Sequence, residues 1–213
     1  MSASVRRWLI AASGSIAVVA ALLIGLTALA PADSARAAPA EESADVGFAR
    51  DMSVHHQQAV EMSFIVRDRT DDEDVRRLAY DIINTQANQR GMMLGWLEVW
   101  DRNKSSGEPP MSWMDGDGHG EHEATGDGAL MPGMATDEEL AELSAAEGED
   151  AEIRYLQLMT VHHEGGVLMA RAAAEQAGTD EIERLAAGMV EAQESEIRLM
   201  ADMLAERGAE PTP

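Results

Sequence analysis

A Met-x-x-His-His signature occurs twice, at Met52-Ser-Val-His55-His56 and at Met159-Thr-Val-His162-His163, 107 residues apart. Neutral imidazole is the commonest nitrogen ligand for transition metals, and thioether sulfur selects soft ions such as copper. The chain has no cysteine. Disulfides and thiolate sites are therefore excluded, and Met and His are the soft ligands that remain. On a helical wheel of about 100° per residue, Phe48, Met52, His55, His56, Ala59 and Met62 fall in one face roughly 120° wide. Tyr155, Met159, His162, His163, Gly166 and Met169 take the same places in the second copy. His55 and His162 lie near the centre of the stripe and His56 and His163 at its edge, which ranks the first pair higher as inward groups. Ala59 and Gly166, one turn beyond the histidines, leave room beside the rings for a close helix or a bound ion.

The likeness between the copies runs further. Sliding Phe48–Glu98 onto Tyr155–Ala205 without a gap gives 12 identities in 51 positions, mostly apolar residues, Met, His and Gln. An internal duplication is the economical reading. The partner segments carry a matching stripe, Ile82, Gln86, Gln89, Met93 and Trp96 in one and Met189, Gln193, Glu196, Met200 and Met203 in the other. Gln86 and Gln193 interrupt apolar faces, and a buried amide needs partners, for which the histidines opposite are the expected groups. The candidate metal set is thus His55, His56, His162 and His163 with Met52, Met62, Met159 and Met169, and with Gln86, Gln193 and Glu196 around them. A rival reading makes the same residues a closed hydrogen-bond network that fixes helix register, in a non-metal interaction module of the cell envelope.

A looser metal-capture candidate lies between the copies, where His119 and His122 accompany Met111, Met114, Met131, Met134 and several carboxylates. A solvated loop with incidental Met is its bland alternative. Catalytic arrangements are not indicated. A ferritin-type di-iron site needs inward glutamates, yet Glu61 and Glu164 fall away from the stripe and only Glu196 faces inward. No nucleophile–base pair, phosphate-binding glycine loop or HExxH motif is present. Redox turnover at an internal metal is the enzymatic alternative that stays open. Sixteen basic against 39 acidic side chains give a formal charge of −23. Such a surface repels nucleic acid and anionic membranes and favours cations, or serves solubility alone.

The elements that must position these residues are helical. Residues 41–103 read as a first hairpin, whose second helix starts at a capping box, Thr70-Asp71-Asp72-Glu73, and runs to about Trp100. A Gly/Pro/Met/Asp-rich stretch, 104–136, reads as a flexible linker. Thr136 and Glu139 form another capping box opening a short helix to about Ala146. The second hairpin, within 137–208, has a helix from about Asp150 to Gln176, Gly178 as its stop, and a helix from Thr179 to about Arg207. Nothing reads as a strand. One hairpin cannot bury its stripe alone, so an all-α, four-helix bundle of two repeated hairpins over 41–208 is expected. Residues 1–40 read as an address: Arg6 and Arg7, an uncharged run from Trp8 to Ala30, and Ala35-Arg36-Ala37 as a cleavage candidate. The run is also long enough for an N-terminal membrane anchor. Either way the remainder is extracytoplasmic, secreted or anchored.

At Met52–Met62, Met131-Pro132-Gly133-Met134 and Met159–Met169 the sequence resembles a bacterial family, domain of unknown function 305. Its hallmark is a Met-x-x-His-His-x-x-Ala-x-x-Met helix, followed by a helix with Gln and Met at the spacing of Gln193, Glu196 and Met200. The resemblance covers about 45–207. It implies a ferritin-like four-helix bundle, an envelope or secreted location, and copper binding. Two departures stand out: Gly166 replaces the motif alanine, and Gln89-Arg90 replace the acidic residue and Ile that Glu196-Ile197 supply in the second copy. The outer shell of the first half is altered accordingly. A metal ion is the expected partner; a protein partner is not legible, and the oligomeric state, self-association included, is open.

Overall fold

The computed structural model describes residues 37–114 and 129–211. The leader, with the reading of it as signal or anchor, and His119 and His122 lie outside the described residues. Five helices follow one another: α1 Ala44–Arg67, α2 Glu73–Val99, α3 Asp137–Ala145, α4 Gly148–Gln176 and α5 Asp180–Glu206. No strand occurs among the described residues. No described helix is long and apolar enough to cross a membrane.

Side-chain caps set most of the helix starts. Thr136 and Glu139 form the expected reciprocal box at α3, and Thr179 caps α5 by accepting from Ile182 N. At α2 the expected box is not formed, and the cap lies two residues further on. Asp72 is the cap, accepting from Asp74 N at 3.0 Å and Val75 N at 2.8 Å. Thr70 is committed elsewhere, its hydroxyl donating to the buried Glu152 carboxylate. Glu152 in turn receives Arg207 Nε at 2.7 Å, tying the end of α5 to the start of α2. α4 ends at Gln176, as expected, with Ala177 in extended backbone (φ −62°, ψ 137°), and Gly178 follows without a left-handed turn. The next turn is held instead by buried Asp45, which accepts from Gly178 N at 3.0 Å, Thr179 N at 2.9 Å and Thr179 Oγ1 at 2.6 Å. A charged acceptor for three donors outweighs what a glycine cap offers.

α1 packs on α2, α4 on α5, and the two hairpins meet through α1 and α4, with α3 laid against both. Apolar burial divides into two clusters. One holds Met62, Met159, Met200 and Met203 with Tyr155 and Leu156. The other holds Met52, Met93, Met131, Met169 and Met189 with Phe48 and Ile182.

The stretch expected to be a flexible linker is docked at both described ends. Trp113 lies over Gly47, where a Cβ would come 2.3 Å from its Cγ. Its Nε1 donates to Asp51 Oδ2 at 2.9 Å, and Met111 N donates to the same oxygen at 2.7 Å. Burial pushes the Asp51 carboxyl up, and those two hydrogen bonds pull against it. At the other end Gln58 clamps Ala135 from both sides, donating Nε2 to its carbonyl at 2.8 Å and accepting its N–H at 2.7 Å. The docked side chains are buried, Trp113 7% exposed and Met131 2%.

Candidate metal centre

α1 and α4 bring His55 and His162 together, ring centroids 3.8 Å apart and planes tilted by 35°. All four motif histidines are buried. The ranking of His56 and His163 as edge groups is therefore corrected: the partner helices cover them as fully as the central pair. His56 Nε2 lies 2.9 Å from Gln89 Oε1 on α2, and His163 Nε2 lies 2.8 Å from Glu196 Oε2 on α5. His55 Nε2 lies 3.1 Å from the Pro132 carbonyl, and His162 Nε2 lies 3.1 Å from the His55 carbonyl. The expected pairing of Gln86 and Gln193 with histidines is not made. Both glutamines are buried, and each Oε1 has no partner. The residues one turn further along, Gln89 and Glu196, take that role.

Every Nε2 partner is an oxygen, and carbonyls and carboxylates only accept. The four rings therefore carry their proton on Nε2, and each Nδ1 keeps a bare lone pair. Each of those four Nδ1 atoms is buried and without a hydrogen-bond partner. Nitrogen NMR of the metal-free protein should show His55, His56 and His162 neutral in the Nε2–H form at pH 7. A ring found protonated on Nδ1 would break this assignment. Burial, with like-charged neighbours, holds His56 down to about 3. Burial likewise holds His55 down to about 4, against a raising contribution from the Pro132 hydrogen bond. His162 is pushed well below its usual range by burial and then by the other three histidines.

A strap from the segment between the hairpins crosses this layer. Gly133, at φ 75°, passes so close to α4 that a Cβ on it would meet the Val161 carbonyl at 2.4 Å. A Cβ on Gly165 would lie 2.0 Å from the Pro132 carbonyl oxygen. Gln58 and Gly165 stand 107 residues apart in sequence. One is the clamp for the strap and the other its notch. Sequence reasoning missed both, and Pro132 as the acceptor for His55. The available signal was Gly165-Gly166 in the middle of a helix, where glycine costs about 1 kcal/mol against alanine and so needs a packing reason. Gly166 faces a close group: a Cβ there would meet Gln193 Oε1 at 2.3 Å.

Met52, Met62, Met159 and Met169 are fully buried. They do not share one chamber. Met52 and Met169 belong to one apolar cluster, Met62 and Met159 to the other, and on both helices the histidines lie between them in sequence. Among the described residues no three His, Cys, Asp or Glu groups converge on a position that could hold a metal. The donors thus fit a soft ion by type, four unused imidazole nitrogens beside buried thioethers, while a site of nitrogen and carboxylate alone is not formed.

The family model for DUF305, a domain of unknown function, matches residues 45–204. The chain belongs to the DUF305 family. Among solved DUF305 proteins, one from Streptomyces coelicolor, described as a candidate secreted protein, is 62% identical, with a TM-score of 0.74 over 82% of this chain and 99% of that one. A DUF305 fragment from Deinococcus radiodurans is 32% identical, with a TM-score of 0.64 over 79% of this chain and 99% of the fragment. CopM in its Cu(I)-bound form shares the fold at 21% identity and a TM-score of 0.58, over 76% of this chain and 96% of CopM. Comparison with curated proteins gives no match.

Proposed function

We propose that this DUF305 protein is an exported binder of soft metal ions, copper above all, serving as buffer, carrier or resistance factor in the cell envelope. In this reading two duplicated hairpins form a ferritin-like four-helix bundle, 1–40 is a signal peptide or membrane anchor, and 104–136 is a Met- and His-bearing connection. One observation carries it: four buried imidazoles commit Nε2–H to oxygen acceptors and keep four unpartnered Nδ1 lone pairs inside. Metal-binding histidines hold their second nitrogen in this way, which fixes the tautomer and raises ligand basicity. Buried thioethers on the same stretches of α1 and α4 bias the set toward copper over zinc. CopM, crystallised in Cu(I)-, Cu(II)- and Ag-bound forms, supports the reading through its fold. The description of the Streptomyces protein supports export.

A second reading is favoured by the lack of a converging His/carboxylate triad among the described residues. In it the histidine layer only fixes helix register, and the acidic surface meets an envelope partner. Copper titration against a competing chelator, with a thermal-shift readout, separates the two. Binding at 100 times Kd should stabilise the fold by about 2.7 kcal/mol. Copper should bind more tightly than zinc. Replacing His55, His56, His162 and His163 by Ala should abolish the tightest site. Since four buried truncations can unfold the domain, a second variant changes Met52, Met62, Met159 and Met169 to Leu, which conserves core volume. Copper affinity in that variant should fall, as expected when soft sulfur ligands are withdrawn. Unchanged affinity in both variants would leave the structural reading standing.

A further inference from the structure

The two halves of the histidine layer differ in charge. His56 and His163 are equally buried and stand 107 residues apart. Each points Nε2 at a side chain 33 residues further on, at 2.9 Å and 2.8 Å, and each leaves Nδ1 without a partner. The acceptor is a neutral amide, Gln89, in one half and a carboxylate, Glu196, in the other. Glu196 keeps 24% of its side chain exposed, while His163 keeps none. The charge therefore stands in contact with water on one side and with a dry imidazole on the other. The surroundings follow the same division. Tyr155, fully buried and bonded to Ser63 at 2.9 Å, has its phenol pushed up by burial and then by the Glu196 charge. The corresponding position in the first half is Phe48, which has no polar group.

We infer, on the metal-binding reading above, that the protein holds two unequal metal positions, and that Glu196 is the positioning residue that makes the His163 half load first. The cause is electrostatic. A carboxylate accepting Nε2–H shifts electron density toward Nδ1 and places a negative charge one ring away from a bound cation. An amide orients the ring equally well and supplies no charge. Outer-shell partners of this kind change metal affinity by about 10–100-fold. The His163 half should therefore bind more tightly than the His56 half by a factor in that range. Gln89 and Glu196 are the pair of residues that sets the order, because the histidines, their burial and their tautomers are alike.

The test uses the full protein with nitrogen-15 in its histidines, titrated with silver(I), which is diamagnetic and redox-silent. Imidazole nitrogen NMR then reads each ring separately. His163 Nδ1 should shift during the first additions and His56 Nδ1 only later, with Nε2 remaining protonated in both. Glu196→Gln, nearly isosteric and still an acceptor, should bring the two responses together. Gln89→Glu should strengthen the His56 response by about 10–100-fold. Far-UV circular dichroism on both variants confirms the fold. Parallel shifts of His56 and His163 in the unmodified protein, or an order unchanged by Glu196→Gln, overturn the inference alone. Silence of all four rings overturns it together with the metal-binding reading on which it rests.

Discussion

Between pH 6.5 and pH 4 the metal-free protein should lose most of its stability, well before its carboxylates are neutralised. His55 and His56 are held down to about 4 and about 3 by burial, and His162 lies well below its usual range for the same reason. In the unfolded chain these rings take up protons near 6.5. Below that pH the unfolded state carries more protons than the folded one, so stability falls as pH falls. The contribution is fully present above 6.5 and drains away toward the folded values. Each group costs about 1.4 kcal/mol per pH unit over that window, so three together give a slope of roughly 4 kcal/mol per unit. A domain stable by about 5–15 kcal/mol is exhausted within a few units of that slope.

A formal charge of −23 acts in the opposite direction. Acidification relieves self-repulsion among surface carboxylates, which favours the compact state. That relief is spread over exposed, screened groups and begins mainly near pH 4, whereas the histidine loss begins above pH 6. The histidines win in the interval between. Urea unfolding at pH 7, 6 and 5 measures the balance directly. A midpoint that stays level across those three values would show that the rings are not held neutral in the interior.

Much of this layer was legible in the sequence because it rests on local periodicity. The 100° wheel places Met52, His55, Met62, Met159, His162 and Met169 inward, and all six are buried. Helix positions followed from caps and glycines to within a few residues. The missing information is non-local. Gln58 to Ala135 and His55 to Pro132 each span 77 residues, and Asp45 to Thr179 spans 134. No propensity or spacing rule sees such pairs. The choice between Gln86 and Gln89, or between Gln193 and Glu196, depends on the level at which the helices meet, which a wheel averages away. For the thioethers, burial follows from the stripe and the roughly 15 Å between Met52 and Met62 from helix rise, but that Met52 joins Met169 and Met62 joins Met159 follows only from how α1 lies on α4.

Gly165→Ala should destabilise the fold, although helix propensity argues the other way. Alanine in a helix interior is favoured over glycine by about 1 kcal/mol. Gly188 and Gly91 show what that gain looks like alone, since a Cβ at either meets nothing within 4 Å. Changing either to Ala should stabilise the fold by up to about 1 kcal/mol. At Gly165 the same methyl would lie 2.0 Å from the Pro132 carbonyl oxygen and 2.9 Å from Gly133 N. Those are backbone atoms of a strap that is itself tight against Val161, so no side chain can swing away. Overpacking of this kind costs about 1–3 kcal/mol. Displacing Pro132 also strips the acceptor from His55 Nε2, and a buried donor left unmatched costs about 1–3 kcal/mol more. The sum exceeds the propensity gain, so the net loss should be roughly 1–5 kcal/mol. Hydrogen exchange locates it: the Ala135 amide, bonded to Gln58 Oε1 at 2.7 Å, should lose protection in Gly165→Ala and keep it in Gly188→Ala. Equal stabilisation by the two substitutions would mean that the strap does not rest in the Gly165 notch, and that His55 finds its acceptor elsewhere.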